Sequence, residues 1–134
     1  MGVVVVAHYR LGEEFLQALR LIVPDASGFE AVSVEPKQSV DEMRAAIAEA
    51  IDRVDRGEGV LILTDMFGGT PSNIALSFLG ERRVEVVTGV NLPMLIKLAT
   101  LRKEQPLEEL AAFIKGYGQR NISLASELLP DGKA

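Results

Sequence analysis

The sequence contains no cysteine, no tryptophan and, among 134 residues, one histidine. Without cysteine there is no disulfide framework and no thiolate to act as nucleophile or ligand, a composition compatible with a reducing compartment. A lone histidine cannot supply the usual ligand set of a zinc site, although carboxylates still permit magnesium. No metal and no cofactor is expected. Basic charge is also scarce: 14 Lys and Arg stand against 19 Asp and Glu, for a net charge of −5. This denies the chain the electrostatic footprint of a nucleic-acid or anionic-membrane binder. Long apolar runs are missing as well. The run Val3 to Ala7 is too short for a signal-peptide core or a membrane span and leads straight into His8, Tyr9 and Arg10. A cytoplasmic protein without direct membrane insertion is expected. No GxxxxGK[ST] loop, no GxGxxG and no GxSxG occurs, which weakens nucleotide-binding and serine-hydrolase readings.

What is present is a regular alternation. Val3–Ala7, Ala31–Val34, Val60–Leu63 and Val84–Val87 are short, rich in β-branched residues and free of polar alternation, the pattern of parallel strands buried on both faces. Between them lie amphipathic segments. Leu11, Phe15, Leu19 and Ile22 predict one helical face, and Val40, Met43, Ile47, Ile51 and Val54 another. Ser39 with Glu42 reads as a capping box, and Gly57 with Gly59 as the stop after that helix. Further helices are expected from Pro71, after Asn91 and from Pro106. The fold class is therefore α/β: an open, doubly wound sheet of four parallel strands flanked by helices, forming one domain over residues 1–134. A strand-like piece at Asn121–Leu124 is expected to add to a sheet edge.

Open α/β sheets bind ligands beyond the carboxyl ends of their strands, so those ends carry the functional argument. The first strand ends at His8. The third ends at Thr64–Asp65 and continues as TDMFGGTPSN, with Gly68 and Gly69 in the turn, Thr70 at the expected N-cap and Pro71 at the first helical position. Glycines permit close backbone approach, and free N–H groups of a helix start favour an anion such as a phosphoryl group. The fourth strand ends at Thr88–Asn91. Each element has a structural reading too. A lone histidine is commonly structural, an aspartate after a strand is commonly a turn former, GG-T-P can be a bare turn, and Asn91 can be simply an N-cap. Their coincidence on one rim favours chemistry: His8 as a nucleophile toward phosphorus, with Asp65 orienting its ring.

The segments AHYRLGEEF (Ala7–Phe15), LTDMFGGTPSNIA (Leu63–Ala75) and VTGVNLPMLIKL (Val87–Leu98) resemble the signature segments of the enzyme IIA domain of the mannose/fructose/sorbose class of the bacterial phosphoenolpyruvate-dependent sugar phosphotransferase system (PTS). That resemblance implies a phosphotransferase in which His8 accepts a phosphoryl group from the histidine-containing phosphocarrier protein and passes it to a histidine of a separate IIB protein. It implies that Asp65 pairs with one ring nitrogen while the other is phosphorylated, that Thr70, Gly68 and Gly69 line the phosphate site, and that Asn91 borders it. It also implies a homodimer in which the C-terminal strand, here Asn121–Leu124, is exchanged. Tyr9 departs from the pattern by standing where the family usually has glycine. Two other readings remain open from the residues alone: a regulatory module switched by phosphorylation, including the dihydroxyacetone-phosphorylation type, and a flavodoxin-like domain that binds a small ligand non-covalently.

Overall fold

The computed structural model describes residues 1–129. Four parallel strands, β1 (Gly2–His8), β2 (Phe29–Val34), β3 (Val60–Thr64) and β4 (Val84–Thr88), form one sheet in the order β2-β1-β3-β4. The helices α1 (Leu11–Ile22), α2 (Val40–Val54), α3 (Thr70–Leu76), α4 (Leu92–Thr100) and α5 (Leu107–Arg120) alternate with or follow the strands, and a short α6 (Ala125–Leu128) closes the described chain. Successive residues of a strand point to opposite faces, and β1 displays this directly. Val4 and Val6 pack with Met43, Ile47 and Ile51 of α2 and with Ile74 of α3. Val3 and Val5 pack with Leu16 and Leu19 of α1 and with Met94, Leu95 and Ile114 of α4 and α5. Each face of the sheet is thus covered, which is why the strand sequences are apolar without alternation.

The capping box at the start of α2 is present: the Ser39 hydroxyl accepts the Glu42 N–H, and the Glu42 carboxylate accepts the Ser39 N–H, each at 3.1 Å. The expected face of α1 is corrected by about one position. Its buried residues are Gly12, Leu16 and Leu19, whereas Leu11 and Ile22 are exposed. Gly12 sets this phase, because a methyl group there would lie 3.2 Å from the Val5 carbonyl oxygen. The helix therefore rests on β1 through its glycine, and the i+4 and i+7 positions follow it inward. In α2, Met43, Ile47, Ile51 and Val54 are buried as expected, but Val40 in the first turn is exposed.

Two further expectations are corrected. Gly69, not Thr70, is the N-cap residue of α3; Thr70 is already helical, with Pro71 beside it. Asn121–Leu124 forms no strand in this chain. It leaves α5 as exposed, irregular backbone ahead of α6, since a strand requires a ladder partner and the single chain offers this segment none. No helix of the described residues is long and apolar enough to cross a membrane.

Candidate phosphoryl-acceptor site

The strand order changes direction at β1, which is followed through α1 by β2 on one side and neighbours β3 on the other. The crevice outside the carboxyl ends of β1 and β3 is therefore the switch point of the sheet. His8 is the last residue of β1, and Asp65 directly follows β3, paired with β1 up to Val6–Thr64. Parallel pairing brings two residues 57 apart in sequence onto one rim.

There they meet. Asp65 Oδ2 lies 2.7 Å from His8 Nδ1 and also accepts the His8 backbone N–H at 3.0 Å. The other carboxylate oxygen, Oδ1, accepts the Met66 N–H at 3.1 Å. The Asp65 side chain is only 10% exposed, the His8 ring 48%, so the carboxylate is shielded while the ring remains open to a reactant. Burial is the largest single influence on Asp65 and pushes its carboxyl up. The hydrogen bonds from the His8 N–H and ring, attraction to the ring's charge and the local backbone outweigh it and hold Asp65 below its ordinary value. An ionised carboxylate only accepts hydrogen bonds, so Nδ1 must carry the proton in this pair. In the neutral ring this arrangement leaves the Nε2 lone pair available, the form required of an imidazole nucleophile.

The opposite wall of the crevice is the turn after β3. Gly68 adopts φ +90, a conformation that glycine reaches at little cost. Gly69 needs to be glycine for a different reason. Its backbone is extended, but a methyl group on it would lie 2.8 Å from His8 Cε1 and 3.3 Å from Nε2. The turn thus abuts the ring edge that bears the free nitrogen. Thr70 is exposed at the start of α3, next to Gly69.

Asn91 lies two strands away from His8, at the end of β4. Its side chain is engaged at both ends: Oδ1 accepts the Met94 N–H at 3.1 Å as the cap of α4, and Nδ2 donates to the Gly118 carbonyl at 3.0 Å. It ties α4 to α5, and neither of these bonds goes to the His8–Asp65 pair. Tyr9 takes φ +52, a left-handed conformation that is costly for a bulky side chain. Its N–H is held by the Val34 carbonyl at 2.9 Å, which bends the chain out of β1 immediately after His8. A glycine suits that position for this reason.

Two polar residues of the site region escaped the reading of the sequence. Among the described residues, Thr64 and Ser72 are the buried polar ones, each 0% exposed. The Thr64 carbonyl accepts both the Gly89 and Val90 N–H groups at 2.9 Å, while Ser72 bonds to the glycine turn. In sequence both look like ordinary parts of a strand end and a helix start, and only their burial distinguishes them. Among the described residues, no three of His, Cys, Asp and Glu gather as a metal site.

Comparison with known proteins agrees with this architecture. A family model described as the PTS system fructose IIA component matches residues 2–115. The chain belongs to that family. A fructose-specific EIIA component of Bacillus subtilis (strain 168) is 31% identical over 110 residues, covering 81% of this chain and 75% of that one. A sorbose-specific EIIA component of Lacticaseibacillus casei is 27% identical over 135 residues, covering 99% of this chain and 97% of its own. In three dimensions the chain resembles a mannose/sorbose-specific IIA subunit from Enterococcus faecalis, with a TM-score of 0.83, 29% identity and 92% of each chain covered. The protein is a PTS IIA component of the mannose/sorbose class, and IIA components of this kind are phosphotransferases.

Proposed function

We propose that the chain is a single-domain, cytoplasmic phosphocarrier that takes a phosphoryl group from the histidine-containing phosphocarrier protein onto His8 and delivers it to a histidine of a separate IIB protein. The observation that carries this reading is the shared Asp65 oxygen, which engages Nδ1 and so directs Nε2, unprotonated in the neutral ring, away from the carboxylate on an accessible ring. In the transfer, the Nε2 lone pair forms a bond to phosphorus while the P–N bond of the donor phosphohistidine breaks, its electron pair returning to the donor nitrogen. The ring of His8 becomes cationic as this bond forms, and Asp65 offsets that charge across the Nδ1 hydrogen bond. Gly68 and Gly69 leave room at Nε2, and Thr70 is exposed next to Gly69 at the start of α3. Asn91 contributes by fixing α4 against α5 at the edge of the site, not by touching the phosphate. Such transfer depends on position and charge compensation, with no cofactor or metal in the step.

The homodimer belongs to the same proposal. β4 is an edge strand, and a groove of about 560 Å³ runs between it and α5, bordered by Glu85, Val87, Ala111, Lys115 and Ile122. Ile122, Leu124 and Leu128 are all exposed. Pairing of the 121–124 segment with the β4 edge of a second copy would cover these side chains and complete the edge ladder.

The onward step tests the reading. Phosphorylated protein, separated from the donor enzymes and mixed with a IIB protein of the mannose/sorbose class, should lose its phosphate to a IIB histidine. Phosphate that stays on this chain in the presence of IIB proteins would favour a regulatory role.

A further inference from the structure

Ser72 has no place in the transfer chemistry, yet it is completely buried directly behind the turn that faces His8. Its hydroxyl both accepts and donates. It accepts the Gly68 N–H at 2.9 Å and donates to the Gly69 carbonyl oxygen at 3.1 Å. The same carbonyl accepts the Asn73 N–H at 3.0 Å.

Resting on the phosphocarrier reading above, we infer that Ser72 is a positioning residue for phosphoryl transfer: its hydroxyl locks the Gly68–Gly69 backbone against the Nε2 edge of His8 and keeps the Gly69 carbonyl turned away from the reacting nitrogen. The need for a lock follows from the turn itself. Two adjacent glycines have the widest backbone freedom of any dipeptide, and a methyl group on Gly69 would run into Cε1 and Nε2, so it is this backbone that faces the ring edge. A free peptide rotation there would bring a carbonyl dipole, negative end first, toward the place where the anionic phosphoryl group must sit. The Asn73 N–H holds the Gly69 carbonyl from the helix side, and the Ser72 hydroxyl, by joining that carbonyl to the Gly68 N–H, ties the two glycines to each other and removes the rotation that remains. The peptide plane is rigid and trans, so fixing the Gly69 carbonyl inward also fixes the Thr70 N–H in the opposite sense. Ser72 moves no proton and forms no bond to phosphorus. It acts only through the turn.

Single-turnover transfer from the phosphorylated carrier protein, at several carrier concentrations, tests this with Ser72→Ala and Ser72→Cys. The first deletes the hydroxyl, and the second replaces it with a weak donor and acceptor. The limiting rate should fall about tenfold in both, with the half-saturating carrier concentration unchanged, because the outer surface met by the carrier is intact. A purely structural role would lower the melting temperature and the turnover amplitude, leaving the rate of the folded fraction alone. A limiting rate within about twofold of wild type in either folded variant overturns the inference, and the phosphocarrier reading then stands untouched. A wild-type chain that accepts no phosphate overturns both. A measurement on the unmodified chain needs no variant: the Gly68 amide should keep its protection from hydrogen exchange once His8 is phosphorylated. Loss of that protection would mean the hydroxyl releases the turn in the loaded state, against the inference.

Discussion

His8 and Asp65 meet at one oxygen atom: Oδ2 of Asp65 receives the His8 backbone N–H at 3.0 Å and faces Nδ1 of its ring at 2.7 Å. Strand end and side chain are thereby held by the same acceptor, so the ring's orientation is set, with Nδ1 toward the carboxylate, before any partner arrives. Asp65→Asn keeps the size of the side chain but removes its charge. Transfer to His8 should slow by about 10²–10⁴, the range of a positioned acid–base partner. Stability should fall by no more than about 1 kcal/mol, the scale of one hydrogen bond with a half-exposed partner. Single turnovers alongside thermal melts check both. A rate within about threefold of wild type would leave Asp65 as a turn residue.

The lowered Asp65 carboxyl sets a direction in pH. A group whose pKa is depressed in the folded state stabilises that state above its unfolded value and loses the contribution as pH falls through the folded value. The stability gap between wild type and Asp65→Asn should therefore be present above its ordinary value of 3.8 and close as the pH falls below it. Denaturant unfolding of both proteins across that range measures this. A gap that widens on acidification would contradict the assignment.

Gly69→Ala isolates the steric demand of the ring. The backbone at Gly69 has φ −93 and ψ 172, which alanine adopts without strain, so the methyl group acts only through its 2.8 Å approach to His8 Cε1. The ring must turn away from the glycine wall and from its bond to Asp65. Phosphoryl acceptance is expected to drop at least about tenfold, as small displacements of a reacting group commonly cause, with the fold retained by circular dichroism.

Tyr9→Gly bears on the left-handed residue after β1. Left-handed backbone costs a bulky residue about 1–3 kcal/mol, and the added freedom of glycine in the unfolded chain returns about 0.5–1 kcal/mol of that. A net gain near 1 kcal/mol should raise the melting temperature by roughly 4 °C in a chain of this size. A lowered melting temperature would show that the exposed Tyr9 ring makes contacts worth more than the strain.

Much of this was legible in the sequence, for identifiable reasons. Strands buried on both faces write themselves as unbroken apolar runs, and parallel strands put their carboxyl ends together, so His8 and Asp65 were placed on one rim without coordinates. The capping signatures at Ser39 and Asn91 are local and were equally readable. Less local features were not. The phase of α1 depends on the close seat of Gly12 on Val5, which no periodicity of Leu11 and Ile22 reveals. Ile122 and Leu124 alternate with polar residues as in a strand, but alternation states only what a segment would do with a partner. Ser72 sits within TPSN, a helix start in which serine is commonplace, and its burial is a product of packing. The left-handed turn at Tyr9 was legible only as a departure from the family's glycine.

The central claim is that His8 accepts the phosphoryl group on Nε2. Incubation with phosphoenolpyruvate, enzyme I and the phosphocarrier protein, followed by intact mass, peptide mapping and nitrogen NMR of the ring, measures it most directly. The account predicts one phosphate per chain, labile to acid and stable to base, bonded to Nε2 of His8, and absent from His8→Ala. A chain that gains no phosphate, or a His8→Ala variant that still gains one, would contradict it.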